Sequence, residues 1–198
     1  MKHNFFVSSF PSAQRNLLDH LVGKRVENLI RYSWWSKEDS ATECEIDKKD
    51  VFSLTTGPFC IEFESNISIG FSSDVKVSSI ILWAETIDGK ETDDLMKNDK
   101  ELFPIEACDQ EYSEDYFKNI VGHSLIKYEI VKIETMNSLQ WDHPREVGLV
   151  LFFSNNSHII LSHQLTNVVS DDFTVIRWDQ VNKDETYPLL YKMSEFWD

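Results

Sequence analysis

A chain of 198 residues with 34 acids against 19 lysines and arginines carries a net charge of −15. It is long enough to bury a core and too acidic to hold a phosphate backbone or an anionic membrane directly. Hydrophobic content of 41% with 13% aromatics excludes a disordered chain, and no apolar run of 18 residues offers a membrane span.

In chain order, Lys2 and His3 precede Phe5-Phe6-Val7, but Ser8-Ser9 and Pro11 interrupt that run too soon for a signal-peptide core. A helix is predicted from Ser12, whose hydroxyl suits a free first-turn N–H, carrying Leu17, Leu18 and Leu21 on one stripe up to Gly23. A strand-like run continues to Trp35. Neighbours on a strand face opposite ways, so either one of Trp34 and Trp35 meets solvent or both are buried between sheet and helix. Residues 38–50 follow as an acidic connector, six acids against Lys48 and Lys49.

Past Gly57, Phe59, Ile61 and Phe63 alternate with Cys60, Glu62 and Glu64, and Ser65-Asn66 turns the chain into Ile67, Ile69 and Phe71. That pattern is a β-hairpin. Ile80 to Trp83 form a further strand with Ile81 and Trp83 on one face. Residues 86–112 read as an acidic linker; across 85–115, twelve acids meet three lysines, a net of −9. Leu95, Met96, Leu102, Phe103, Pro104 and Ile105 interleave those charges. An ordered segment is therefore expected, docked by its apolar residues and displaying Asp93, Asp94, Asp99, Glu101, Asp109 and Glu111 outward.

A second helix is predicted from Ser113, with Glu114 and Asp115 opposing the dipole in its first turn, ending at Gly122. Strands follow at Leu125 to Ile133, at Leu149 to Phe153 and at Ile159 to Leu161, and a last one at residues 173–178. Leu149 to Phe153 are apolar on both faces, which predicts a central, covered strand. Residues 154–157 supply a turn, and Pro188 opens a short helix over 187–198.

The order helix, glycine, strands thus occurs twice, with Gly23/Gly122, Gly57/Gly148 and Trp83/Trp178 offset by 99, 91 and 95 residues. The predicted fold is α+β, a single unit over 1–198 built from two tandem pseudo-repeats (10–85 and 113–181). Each holds one helix and about four mainly antiparallel strands.

Chemistry is sparse. There is no phosphate-binding glycine loop, nucleophile elbow, two-histidine zinc helix or calcium loop. His158 and His163, with Asp171 and Asp172, are the best metal or acid/base set, but five residues apart on one strand the imidazoles face opposite sides. Asp142-His143 lacks a third, orienting group. Cys44, Cys60 and Cys108 fit neither a disulfide framework nor a zinc site, which points to reduced thiols and a cytoplasmic setting. No catalytic residue, metal or cofactor is predicted. The competing reading is a small-molecule site or enzyme cleft between the two repeats, built from the histidines, the two aspartates, Trp83 and Trp178.

The acidic runs Glu38–Asp50 and Glu85–Asp115, in a motif-free chain with few cysteines, resemble the bacterial immunity proteins of toxin–immunity pairs. That resemblance implies a non-catalytic protein that neutralises a basic toxin domain, commonly a nuclease, by filling its cleft with carboxylates. Asp93, Asp94, Asp99, Glu101, Asp109 and Glu111 would then meet the partner, with Trp34 or Trp35 as the apolar anchor.

Overall fold

Two antiparallel sheets and a few short helices organise the chain. The computed structural model describes residues 5–43, 45–133, 145–163 and 173–177. The helix expected over 187–198, together with Trp178, Cys44 and Asp142-His143, lies outside those residues. The elements are α1 (Arg15–Leu21), β1 (Val26–Ser33), α2 (Lys37–Glu43), α3 (Val51–Leu54), β2 (Phe59–Phe63), β3 (Ile67–Asp74), β4 (Ser79–Ile87), β5 (Lys90–Glu91) and β6 (Phe103–Glu106). They are followed by α4 (Asp115–Lys118), β7 (Leu125–Ile133), β8 (Arg145–Phe153), β9 (His158–Ser162) and β10 (Thr174–Ile176). Sheet one runs β5-β4-β3-β2-β1-β6 and sheet two β10-β9-β8-β7.

Local chemistry explains most of these boundaries. Ser65 and Asn66 both adopt positive φ, 67° and 57°, which closes the β2–β3 hairpin with the twist that flanking strands require. Gly23 and Gly122, at φ +90° and +88°, each let the chain turn out of a helix directly into a strand. Just beyond them the two sheets are stitched together. Gly23 N–H donates to the Leu125 carbonyl (2.7 Å), Leu125 N–H to Lys24 (2.9 Å), Val26 N–H to His123 (2.9 Å) and Gly122 N–H to Val26 (2.8 Å).

Helix α1 begins at Arg15 rather than Ser12. Residues 11–14 are spent on turns, with Gln14 N–H reaching Phe10 and Pro11, and the Ser12 N–H donates to the buried Glu146 carboxylate at 2.8 Å. Helix α4 likewise starts at Asp115, two residues after Ser113. The 38–50 connector is also structured, holding most of α2 and a 3-10 turn at Lys48–Asp50.

Residues 86–112 are more than a linker, because they supply both edges of sheet one. Lys90 pairs with Ile87 on one side, and Phe103 to Glu106 pair with Ser33 to Ile30 on the other. The alternation along β1 aims Tyr32 N–H at the Pro58 carbonyl of the other neighbour, while the Leu29 carbonyl accepts from Ala107. Ile105 therefore faces β1, and Pro104 faces outward, where its missing N–H forfeits no ladder bond.

One apolar core joins the sheets. Leu29, Ile61, Phe63, Phe71 and Leu82 of sheet one meet Leu149, Leu151, Phe153 and Ile160 of sheet two, with Leu17, Phe52 and Phe117 from the helices. Strand β8 is buried along most of both faces, as its apolar run predicts. The other face of sheet one carries a smaller cluster of Ile30, Tyr32, Cys60 and Trp83, covered by Met96 and Leu102. The acidic stretch is thus docked by Leu95, Met96, Leu102 and Ile105, while Phe103 and Pro104 stay exposed.

Arg31 is the exception in the core. Its guanidinium is fully buried, and Nη2 donates to the Thr55 carbonyl and, at 2.8 Å, to the Phe173 carbonyl. Nε and Nη1 have no hydrogen-bond partner, and burial pulls the pKa down to about 9, which leaves the group cationic at neutral pH. The Phe173 ring lies 4.7 Å from it, so this cation fastens the head of β10 to sheet one.

Candidate partner-binding surface

Strand β1 stops at Ser33, and what stops it also sets the two tryptophans. Ser33, Ser40 and Thr55 are all fully buried and form a closed set of hydroxyl contacts: Ser33–Thr55 2.7 Å, Ser33–Ser40 3.0 Å and Thr55–Ser40 3.0 Å. Ser33 Oγ also accepts from the Trp35 N–H at 3.1 Å, and Trp34 N–H donates to the Thr56 carbonyl at 3.3 Å. Ser36 then caps α2, accepting from the Asp39 N–H (3.1 Å) while its hydroxyl donates to the Asp39 carboxylate (2.7 Å). The backbone of the pair is held on both sides.

Neither sequence alternative for this pair survives. Past the end of the strand the rule of opposite faces no longer applies, and both side chains stand half in solvent, Trp34 at 51% and Trp35 at 50%. They line a groove of about 450 Å³ with Thr56, Gly57, Pro58, Val75 and the buried Phe173. Val75 is itself 60% exposed, and Phe103, opposite Ser33 in the sheet register, is 44% exposed. A second concavity beneath residues 95–97, bounded by Cys60 and Glu85, measures about 50 Å³ and has room for only a water or two.

The six carboxylates expected to act together differ in their surroundings. Asp93 and Asp94 are exposed and follow β5. Asp99 and Glu101, also exposed, lead into Phe103 and so into β6, the opposite edge of sheet one. Asp99 accepts from the Glu101 N–H at 2.9 Å, a local turn that leaves both charges at solvent. Asp109 is different: it is half-buried, bonded to Lys37 Nζ at 2.8 Å and to the N–H groups of Glu111 and Tyr112. Burial pushes its pKa up, but these bonds outweigh that and hold the carboxyl below the usual range. Glu111 pairs with Lys48 at 2.5 Å, and both lysines lie over the Tyr112 ring. Asp109 and Glu111 bind the chain to itself. Asp99 and Glu101 share the end of sheet one where Trp34 and Trp35 emerge.

The described residues of the competing site are not brought together. His158 is half-buried at the head of β9, its ring stacked on Phe152 and its backbone exchanging hydrogen bonds with the Tyr116 hydroxyl. His163 is buried at the far end of the same strand, its N–H on the Val147 carbonyl. Asp171 and Asp172 lie outside the described residues. Among the described residues no group of three or more His, Cys, Asp or Glu side chains is placed to hold a metal ion. Trp83 alternates with the core residues Leu82 and Ala84, so it faces away from sheet two; its indole N–H donates to the buried Glu85 carboxylate. Burial pushes the Cys60 thiol up to about 12, against the opposing hydrogen bond from Ser68.

Sequence reasoning missed the hydroxyl set and Arg31. Ser33, Ser40 and Thr55 read as ordinary strand and loop residues, and nothing in the pattern around Arg31 marks it as buried. No helix among the described residues is long and apolar enough to cross a membrane. Comparison with known protein families, curated proteins and solved structures gives no match.

Proposed function

We propose that this chain is a non-catalytic binding protein that captures and neutralises a basic protein partner, as an immunity protein does for its cognate bacterial toxin. A nuclease domain is the toxin class that such a charge suits, because a cleft built for phosphates attracts carboxylates. One observation carries the reading: two half-exposed tryptophans, their backbone fixed by buried hydroxyls, stand near exposed carboxylates that pair with no lysine among the described residues. Large rigid aromatics supply affinity at little entropic cost, while surrounding charge sets the encounter rate. We also read the scaffold as a tandem pseudo-repeat. Helix, glycine at positive φ and strand occur at both feet of the stitch, and strands β1–β4 and β7–β10 follow the same meander order.

The test is whether the neighbouring upstream gene encodes a basic, toxin-like domain that co-purifies with this protein, followed by binding measurements in low and high salt. A tight complex that weakens as salt rises, and that weakens further with Asp93→Lys, Asp94→Lys, Asp99→Lys and Glu101→Lys combined, is the expected result. Binding indifferent to both salt and charge reversal overturns the reading.

A further inference from the structure

The groove beside Trp34 and Trp35 has a polarity that specifies what enters it. Trp34, Trp35, Pro58 and Val75 line it, and the buried Phe173 forms its floor. The Arg31 guanidinium lies 4.7 Å from the centre of the Phe173 ring and is unopposed by any carboxylate among the described residues. A second cation brought against Phe173 would meet that like charge nearby. The floor therefore suits an uncharged, apolar side chain. The rim has the opposite sign. Glu38 and Asp39 are exposed on the first turn of α2, and Asp74 lies between the lining residues Ser73 and Val75. Lys37, the nearest cation on the α2 side, is committed to Asp109, which leaves Lys76 as the counter-charge beside Val75.

That distribution sorts the occupants. A second copy of this chain would bring a net −15 against −15 and set the same acidic rim against itself, and an anionic lipid surface would meet the same repulsion. A basic polypeptide is drawn by the rim and can place an apolar side chain on the floor. We infer that the groove seats one large apolar side chain of the partner, flanked in the partner's own chain by lysine or arginine that meets Glu38, Asp39 and Asp74. This deepens the proposed capture of a basic partner and rests on it. The arrangement is that of an energetic centre with a charged surround, and the pre-set backbone of the tryptophan pair cuts the ordering cost of binding.

The probe is a capped pentapeptide with phenylalanine between two lysine pairs, followed through the indole N–H resonances of Trp34 and Trp35 in the full chain. Trp34→Phe and Trp35→Phe assign those resonances. Saturable shifts confined to these two indoles are expected. Alanine at the centre of the peptide should weaken binding at least about tenfold, and glutamates in place of the lysines should abolish it. Absence of shifts, equal binding of the alanine peptide, or equal binding of the glutamate peptide each overturns the inference. The combined Trp34→Ala, Trp35→Ala variant, with unchanged circular dichroism, should lose the peptide. If that variant keeps full affinity for the protein partner while the charge-reversed variant loses it, the groove falls and the capture stands. If the groove binds the peptide but the protein complex ignores salt and charge reversal, the capture falls instead.

Discussion

Trp83 and the Trp34–Trp35 pair belong to one sheet and meet opposite fates. Trp83 lies flat over Gly70, so close that a Cβ built there would stand 2.4 Å from the indole Cε2. Its N–H is taken by Glu85, and the ring, half-buried, packs against the cluster that holds Met96 and Leu102. Trp34 and Trp35 stand where the strand has just ended, with no such cover. An indole becomes structural where a glycine clears a bed for it and a carboxylate meets its one donor. Without both it remains a surface for something else.

Breaking the first half of that contrast should cost most. Trp83→Ala empties the outer cluster and leaves Glu85 without its indole donor, and about 3 kcal/mol of stability should be lost in urea denaturation. Gly70→Ala forces the ring off its bed and should cost about 2 kcal/mol by the same measurement. Trp83→Phe keeps the packing but drops the hydrogen bond, so about 1 kcal/mol is expected.

The carboxylates offer a gentler version. Asp109 is held low in the folded state, so its contribution is present above the unfolded value of about 3.9 and fades as pH falls through the lower folded one. Asp109→Asn should cost under about 1 kcal/mol at pH 7, since the pair is partly exposed, and the gap to wild type should close in melts run below pH 3. Smallest of all, the combined Trp34→Ala, Trp35→Ala variant should change stability by less than about 0.5 kcal/mol while removing partner affinity. A large loss of stability there would erase the distinction between the two sites.

Much of the frame was legible because its causes are local. Ser65-Asn66 announces a turn with positive φ, the alternation from Phe59 to Phe63 sets which side faces the core, and the apolar run from Leu149 places β8 in the middle. What escaped depends on residues far apart in sequence. Ser12 reads as a helix cap until Glu146, 134 residues away, claims its N–H. Residues 103–106 read as part of a linker because nothing in Phe103 to Glu106 says that β1 has an open edge to offer. The six carboxylates look alike in sequence, yet Lys37 and Lys48 neutralise only Asp109 and Glu111. Placement of a lysine across a loop is a tertiary fact. For the tryptophan pair the sequence left exposure of one ring and burial of both open, because the strand rule behind that choice ends at Ser33.

Pro104 carries a consequence of its own. On the outer border of sheet one it stands where an incoming strand would look for a donor, and it offers only a carbonyl. A strand added there would lose one of its ladder bonds, which disfavours pairing and filament growth along that border.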